Sequence, residues 1–292
     1  MGEAAGLAAA FIGALQSIFI SSLARRVPVW VINATTGIFV SLFYGIALLA
    51  SGQADDLWHA PILIVGLTAL SGVLGFTVGF TMNAMGLKLA GVARALPTQM
   101  SAYTVFTLIM AFLLLNEDIT WLTALGLGFI LVGVYAVSEA GRKGPSVTAA
   151  ETGKRLGLAL ALGSGLIGAM ATFIIKMALE DLPVVTVNFI RFPSGVLSLI
   201  ALASVLPTGY HPTRYGRQAL AIMAAVGFVG FGLGSFSFTY AVGHAGAAKT
   251  AILISTTPLF ALPMSLLILK EKITARLVTG TVLSILGIIL VV

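Results

Sequence analysis

Three basic residues stand where a charge is expensive. Lys176, Arg191 and Lys249 fall within or beside long apolar runs, and Arg94 stands at the mouth of another. No Asp or Glu falls inside those runs, so the sequence offers these cations no carboxylate at depth. A charge in hydrocarbon is costly unless paired, which makes each a functional candidate. Either the long side chains reach back to the interface, or the missing anion is a ligand. Lys176 and Arg191 lie near the ends of their runs, where reaching back is expected. Lys249 lies one turn into its run, one position from the image of Arg94 at a repeat shift of 154. Arg94 and Lys249 are therefore the expected anion-binding pair.

Uncharged polar residues accompany them. Gln16, Asn33, Asn83, Gln99, Ser101, Tyr103, Asn188, Ser237, Tyr240, His244 and Ser255 are expected to face inward. Gln16, Asn33, Gln99, Tyr103, Asn188 and Tyr240 join Arg94 and Lys249 as the candidate substrate-binding set. Hydrogen bonding between helices is the plainer role for each of them. His244 is the one imidazole among them and the one candidate for a proton relay, so exchange or facilitated diffusion is expected ahead of strong proton coupling. There is no cysteine, no clustered metal-ligand set and no Walker motif, so no metal, cofactor or ATP use is expected. No catalytic constellation is present, and the chain is not expected to be an enzyme.

The elements that hold these residues follow from composition. Apolar residues make up 59% of the 292, charged residues only 9%, and the mean hydropathy is +1.07. A soluble domain carries about 25% charged residues, so the surrounding solvent must be lipid. The net charge of +6 is accordingly not a nucleic-acid signature. The chain begins Met-Gly-Glu with no Lys or Arg before the apolar run, unlike a cleaved signal peptide, and a retained first helix is expected. Ten spans are expected, roughly at 4–23, 29–50, 61–86, 91–115, 120–138, 157–178, 184–206, 218–242, 246–269 and 274–292. Trp30, Trp58 and Trp121 fall near span ends, as interfacial anchors do.

The spans are written twice. Shifting the sequence by 154 positions lays Phe106–Gly133 on Phe260–Gly287 with ten identities in 28 positions, Glu117 on Glu271 among them. At a shift of 155, Gly75 and Gly79 fall on Gly230 and Gly234, and Pro28 and Asn33 on Pro183 and Asn188. The expected domains are a five-helix repeat over 1–140, a polar linker over 141–155 and a second repeat over 156–292. Five is odd, so the second copy enters the membrane from the opposite side. The expected fold is thus an all-α membrane protein of ten transmembrane helices in two inverted five-helix repeats. Of the 16 Lys and Arg, all but Lys176, Arg191 and Lys249 sit at odd-numbered connections, which places those connections in the cytoplasm and both termini outside.

Glycine and proline mark the moving parts. Gly75, Gly79, Gly230 and Gly234 are expected to pack helices three and eight closely at the repeat interface. Gly126, Gly133, Gly280 and Gly287 are expected to pack helices five and ten. Pro97, Pro258 and Pro263 each remove a backbone hydrogen bond within a span, so helices four and nine are expected to bend and line a cavity.

The pattern resembles the EamA branch of the drug/metabolite transporter superfamily. The residues that carry it are Pro183, Asn188 and Arg191, then Tyr240 to Ala245, Thr257 to Phe260, and Leu269 to Ile273 with Gly280 and Gly287. The first half departs from it, with Thr36 where Arg191 would fall and Thr104 in place of Pro258. The resemblance implies a secondary transporter of small metabolites, often an exporter, with both termini in the cytoplasm, against the charge count. The expected activity is movement of an organic anion or amino-acid-like zwitterion by alternating access. The alternative is efflux of apolar or cationic compounds, with the basic residues structural. Expected partners are the small-molecule substrate and the lipid bilayer, with no nucleic acid, in a monomer or weak homo-oligomer. The expected location is the bacterial cytoplasmic (inner) membrane, crossed many times.

Overall fold

The computed structural model describes residues 1–115, 120–140, 149–203, 212–269 and 275–291, and these are all-helical. The long helices are α1 (Gly2–Leu23), α2 (Val29–Ser51), α3 (Ile62–Ala90), α4 (Val92–Leu114), α5 (Trp121–Ala140) and α6 (Ala149–Ala178). They continue as α7 (Val184–Ala203), α8 (Thr213–Ala245), α9 (Ala247–Ile254), α10 (Thr257–Leu269) and α11 (Ala275–Val291). Among the described residues, seven helices, in α1 to α4 and α6 to α8, are long and apolar enough to cross a membrane. Their lipid-compatible faces carry exposed Ile46, Leu49, Leu63, Leu113 and Leu197, which water would not tolerate in such number. Glu117, Glu271 and residues 141–148 of the expected linker lie outside the described residues. Helix α6 begins at Ala149, inside that linker.

Local chemistry places the breaks. The chain turns from α3 into α4 at Gly91 (φ 79°, ψ 160°) and from α8 into α9 at Gly246 (φ 86°, ψ 162°). Only glycine adopts that backbone freely, so one residue suffices where a loop would otherwise be needed. The two positions are 155 apart.

Two features break the helices internally. Val73–Gly79 in α3 and Val226–Leu233 in α8 are π-helical. The wider turn loosens the carbonyl ladder. Hydroxyls from other helices take up the slack: Ser164 Oγ donates to the Gly79 carbonyl at 2.8 Å, and Tyr44 Oη to the Gly232 carbonyl at 2.7 Å. The expected ninth span is two helices, α9 and α10, parted at Ser255–Thr256. Ser255, Thr256 and Thr257 each turn a hydroxyl back onto the carbonyl three residues earlier, at 2.6 Å, satisfying the broken end. Pro258 then sits in the first turn of α10, where its missing N–H costs nothing. Helix α4 runs through Pro97 without interruption, so of the two expected bends only the ninth span parts.

Contacts between the halves come in pairs 155 residues apart. A Cβ built on Gly2 would lie 2.9 Å from Ala245, and one on Gly157 3.0 Å from the Ala90 Cβ. A Cβ built on Gly79 would lie 3.3 Å from Ile167, and one on Gly234 2.9 Å from Ile12. Gly72 abuts the backbone of Arg191, and a Cβ built on Gly227 would lie 2.9 Å from the Thr36 carbonyl oxygen. Adding 155 to one member of each pair and subtracting it from the other yields its mate. Helices α2 and α7 run antiparallel, since Gly37 meets Val196 while Gly45 meets Phe189. Helices α5 and α11 pack through glycine, since a Cβ built on Gly287 would lie 2.6 Å from the Gly126 carbonyl oxygen.

These contacts correct the expected role of one motif. Gly75 and Gly79 do not pack α3 onto α8; they receive α6 through Ala171 and Ile167. Gly230 and Gly234 likewise receive α1, through Gln16 and Ile12. Helices α3 and α8 meet through rings instead, Phe231 standing 5.1 Å from Phe76 and 4.8 Å from Phe80, centroid to centroid. Phe192 and Tyr44 stack beside them at 5.4 Å, so the centre between α2, α3, α7 and α8 is aromatic.

Candidate functional site

The polar residues inside the bundle gather along one strip of α6. Ser164 Oγ accepts from Gln99 Nε2 at 3.3 Å. One turn on, a Cβ built on Gly168 would lie 3.3 Å from the Tyr103 ring, and Thr172 Oγ1 is 3.1 Å from the Tyr103 hydroxyl. Beside Thr172, Ala171 faces Gly75, and Arg191 Nη2 would lie 3.5 Å from a Cβ at Gly75. Gln99 and Tyr103 are four apart on α4, so helical spacing aims both at α6. The absence of a side chain at Gly168 and Gly75 admits the ring and the guanidinium.

Arg191 is the centre of this cluster. Nε donates to Ser71 Oγ at 3.1 Å and Nη1 to Asn188 Oδ1 at 3.0 Å. Asn188 Oδ1 also accepts from Thr239 Oγ1 at 3.2 Å, and Nδ2 donates to the Val184 carbonyl at 3.1 Å. The guanidinium lies 5.7 Å from the Phe192 ring, and the residue is 8% exposed. Snorkelling is therefore not its solution: it points inward, and no described carboxylate answers it. Pro193, two residues on, lies inside α7 and was not among the expected prolines.

The expected cation pair behaves otherwise. Thr104 Oγ1 donates to the Ala251 carbonyl at 3.1 Å, which sets Lys249 beside the middle of α4. Arg94 lies ten residues from Thr104, about 15 Å along the helix, so the structure does not bring Arg94 and Lys249 together. Nor does Lys249 lack a carboxylate: its Nζ is 3.7 Å from Glu3 Oε1, in the first turn of α1. The two side chains are 39% and 32% exposed, and an ion pair so wet contributes little. Glu3→Gln is expected to change the unfolding free energy by less than about 1 kcal/mol. Thermal unfolding of the purified chain at low and high salt checks this. Lys176 lies half-buried in the last turn of α6.

The remaining candidates lie apart from Arg191. Tyr240 stacks on His244 at 3.9 Å and on Phe236 at 6.2 Å, a ladder whose other two members are exposed. It faces outward. Gln16 covers Gly230, 3.2 Å from where a Cβ there would stand, in the bay that matches the Arg191 bay at Gly75. Asn33 is fully buried against Thr81. Pro263 lies half-buried inside α10.

This sequence matches the EamA-like transporter family over residues 1–139 and over residues 155–292. The chain belongs to that family. Members are transporters, and this EamA-like chain is an integral, multi-pass membrane protein. It is 27% identical over 239 residues to an uncharacterized transporter of Archaeoglobus fulgidus, covering 82% of this chain and 78% of that one. An uncharacterized transporter of Clostridium kluyveri is 28% identical over 231 residues, covering 76% and 70%. A solved crystal structure shares the EamA-like chain's fold with a TM-score of 0.78 at 16% identity, over 99% of this chain and 95% of the other.

Proposed function

We propose that this chain is a secondary transporter of a small metabolite with an anionic group, either an organic anion or an amino-acid-like zwitterion. The observation that carries the reading is Arg191, a buried cation whose partners among the described residues are neutral. A permanent guanidinium enclosed in a membrane protein stores unfavourable energy until an anion meets it. The substrate is that anion, and Tyr103 and Gln99 line its approach along α6.

Alternating access supplies the mechanism. Reciprocal contacts at a separation of 155, with α2 antiparallel to α7, support two inverted repeats related by an axis in the membrane plane. Rocking one repeat against the other exposes Arg191 first to one side, then to the other. The location is the bacterial cytoplasmic membrane, as a monomer or weak oligomer.

The aromatic cluster of Phe76, Phe80, Phe192 and Phe231 favours the second reading, efflux of apolar or cationic compounds. Competition decides between them. A thermal-shift panel of organic anions, zwitterions and cations on the purified chain supplies a ligand, because binding stabilises the folded form. In proteoliposomes, anions and zwitterions are expected to inhibit its uptake. Inhibition by cations alone would replace the first reading with the second.

A further inference from the structure

The two repeats treat matching asparagines differently. Asn33 and Asn188 correspond at the shift of 155, and both are fully enclosed. Asn188 Oδ1 has two donors, Arg191 Nη1 and Thr239 Oγ1. Asn33 donates through Nδ2 to Thr81 Oγ1, and its Oδ1 has no donor among the described residues.

The sequence explains the gap. The image of Arg191 is Thr36, whose short hydroxyl bends back to the carbonyls of Ile32 and Asn33 at 2.8 and 3.1 Å. The image of Thr239 is Ala84, which has nothing to donate. The first repeat thus keeps the acceptor and lacks both donors. Orphaned amide oxygens also occur at Gln53, Asn83 and Gln99, but those residues keep partial exposure. Asn33 is fully shut in, where an unmet acceptor is hardest to tolerate.

We infer that Asn33 Oδ1 binds a cationic N–H donor on the transported molecule, an ammonium or amidinium group. In the second repeat the protein supplies that cation itself, as Arg191; in the first repeat the ligand supplies it. The assignment rests on the alternating-access reading, since the rocking of the repeats is what admits a ligand to an enclosed oxygen. It narrows the substrate class to molecules that carry a cationic end as well as an anionic one.

Three probes of one chain length test it on the full chain in lipid nanodiscs: n-pentylammonium, pentanoate and 5-aminopentanoate. Binding is read by thermal shift and calorimetry. Both amines are expected to stabilise the wild type, and Asn33→Leu to weaken each by about tenfold or more while leaving pentanoate unchanged. Asn33→Asp, which adds a charge in the same shape, is expected to tighten pentylammonium. Arg191→Gln is expected to weaken pentanoate and spare pentylammonium. Amine binding that is absent in the wild type, or indifferent to Asn33→Leu, overturns the inference and leaves the oxygen to a buried water. So does failure of Asn33→Asp to tighten pentylammonium if Asn33→Leu does not fold. A loss of pentanoate binding in Asn33→Leu overturns it too, since the amide would then be donating. Pentanoate binding that survives Arg191→Gln removes the anion reading of Arg191 instead.

Discussion

Replacing Arg191 with Gln is expected to cut kcat/KM for an anionic substrate by between about thirty-fold and a few thousand-fold, while the protein stays folded. The range follows from the about 2–5 kcal/mol lost when one partner of a buried, hydrogen-bonded charge pair is removed. Arg191→Lys keeps the charge but cannot reach Ser71 and Asn188 with one rigid fork, so an intermediate loss is expected. Stability separates this role from a structural one. Without substrate, the guanidinium is a buried charge whose described partners are all neutral, and removing it relieves a desolvation penalty. The glutamine variant should therefore melt no lower than the wild type, and substrate should no longer raise its melting temperature. A variant that melts far lower yet transports at the wild-type kcat/KM would make Arg191 a structural tie. Proteoliposome uptake and thermal unfolding of one preparation give both readouts.

The architecture was legible because lipid leaves the chain few options. Long apolar runs separated by charge or Pro can only be helices, and the two shifts located matching parts before any coordinates. Even the disagreement between those shifts carried information. Gly91 matches Gly246 at 155, but Phe106 matches Phe260 at 154, so the second copy is one residue shorter between them. The structure parts the helix at Ser255–Thr256, within that interval. The lost residue is the sequence signal of the break, and prolines alone did not reveal it.

The candidate site was only partly legible. Residue type marked Arg191 as costly, but position along a run says nothing of rotation about the helix axis. Only the packing of α7 against α3 shows that Arg191 turns inward at Gly75. The Glu3–Lys249 pair was missed for a related reason. Glu3 belongs to the first turn of α1, and no periodicity within α1 reports that α9 lies beside it. The glycine motifs identified small faces but not their partners. A small face fits any neighbour, and the neighbours proved to be α6 and α1. The π-helical stretches carry no composition cue beyond glycine itself.

Gly72→Ala is expected to destabilise the folded chain by more than about 3 kcal/mol. A Cβ at that position would fall on the Arg191 carbonyl oxygen, within 2.7 Å of its carbonyl carbon and 2.8 Å of its Cα. Side chains can swing away from an added methyl, but a helix backbone cannot, so α3 and α7 must separate along their contact. The separation would also draw Ser71 away from Arg191 Nε, so surviving protein should bind anions less tightly. Gly227→Ala, at the matching place in the second repeat, meets the Phe39 Cβ at 2.6 Å and the Thr36 carbonyl oxygen at 2.9 Å. It should destabilise as well, by a smaller amount because part of the clash is with a side chain. Gly66→Ala, with nothing within 4 Å, is the control and should raise stability slightly through helix propensity. Melting temperatures of the three variants in one detergent rank them. An order other than Gly72 below Gly227 below Gly66 would mean that α3 and α7 do not approach backbone to backbone at Arg191. The proposed mechanism needs that approach, because it places Arg191, the one enclosed cation among the described residues, between α3 and α7, where the proposed rocking would move it.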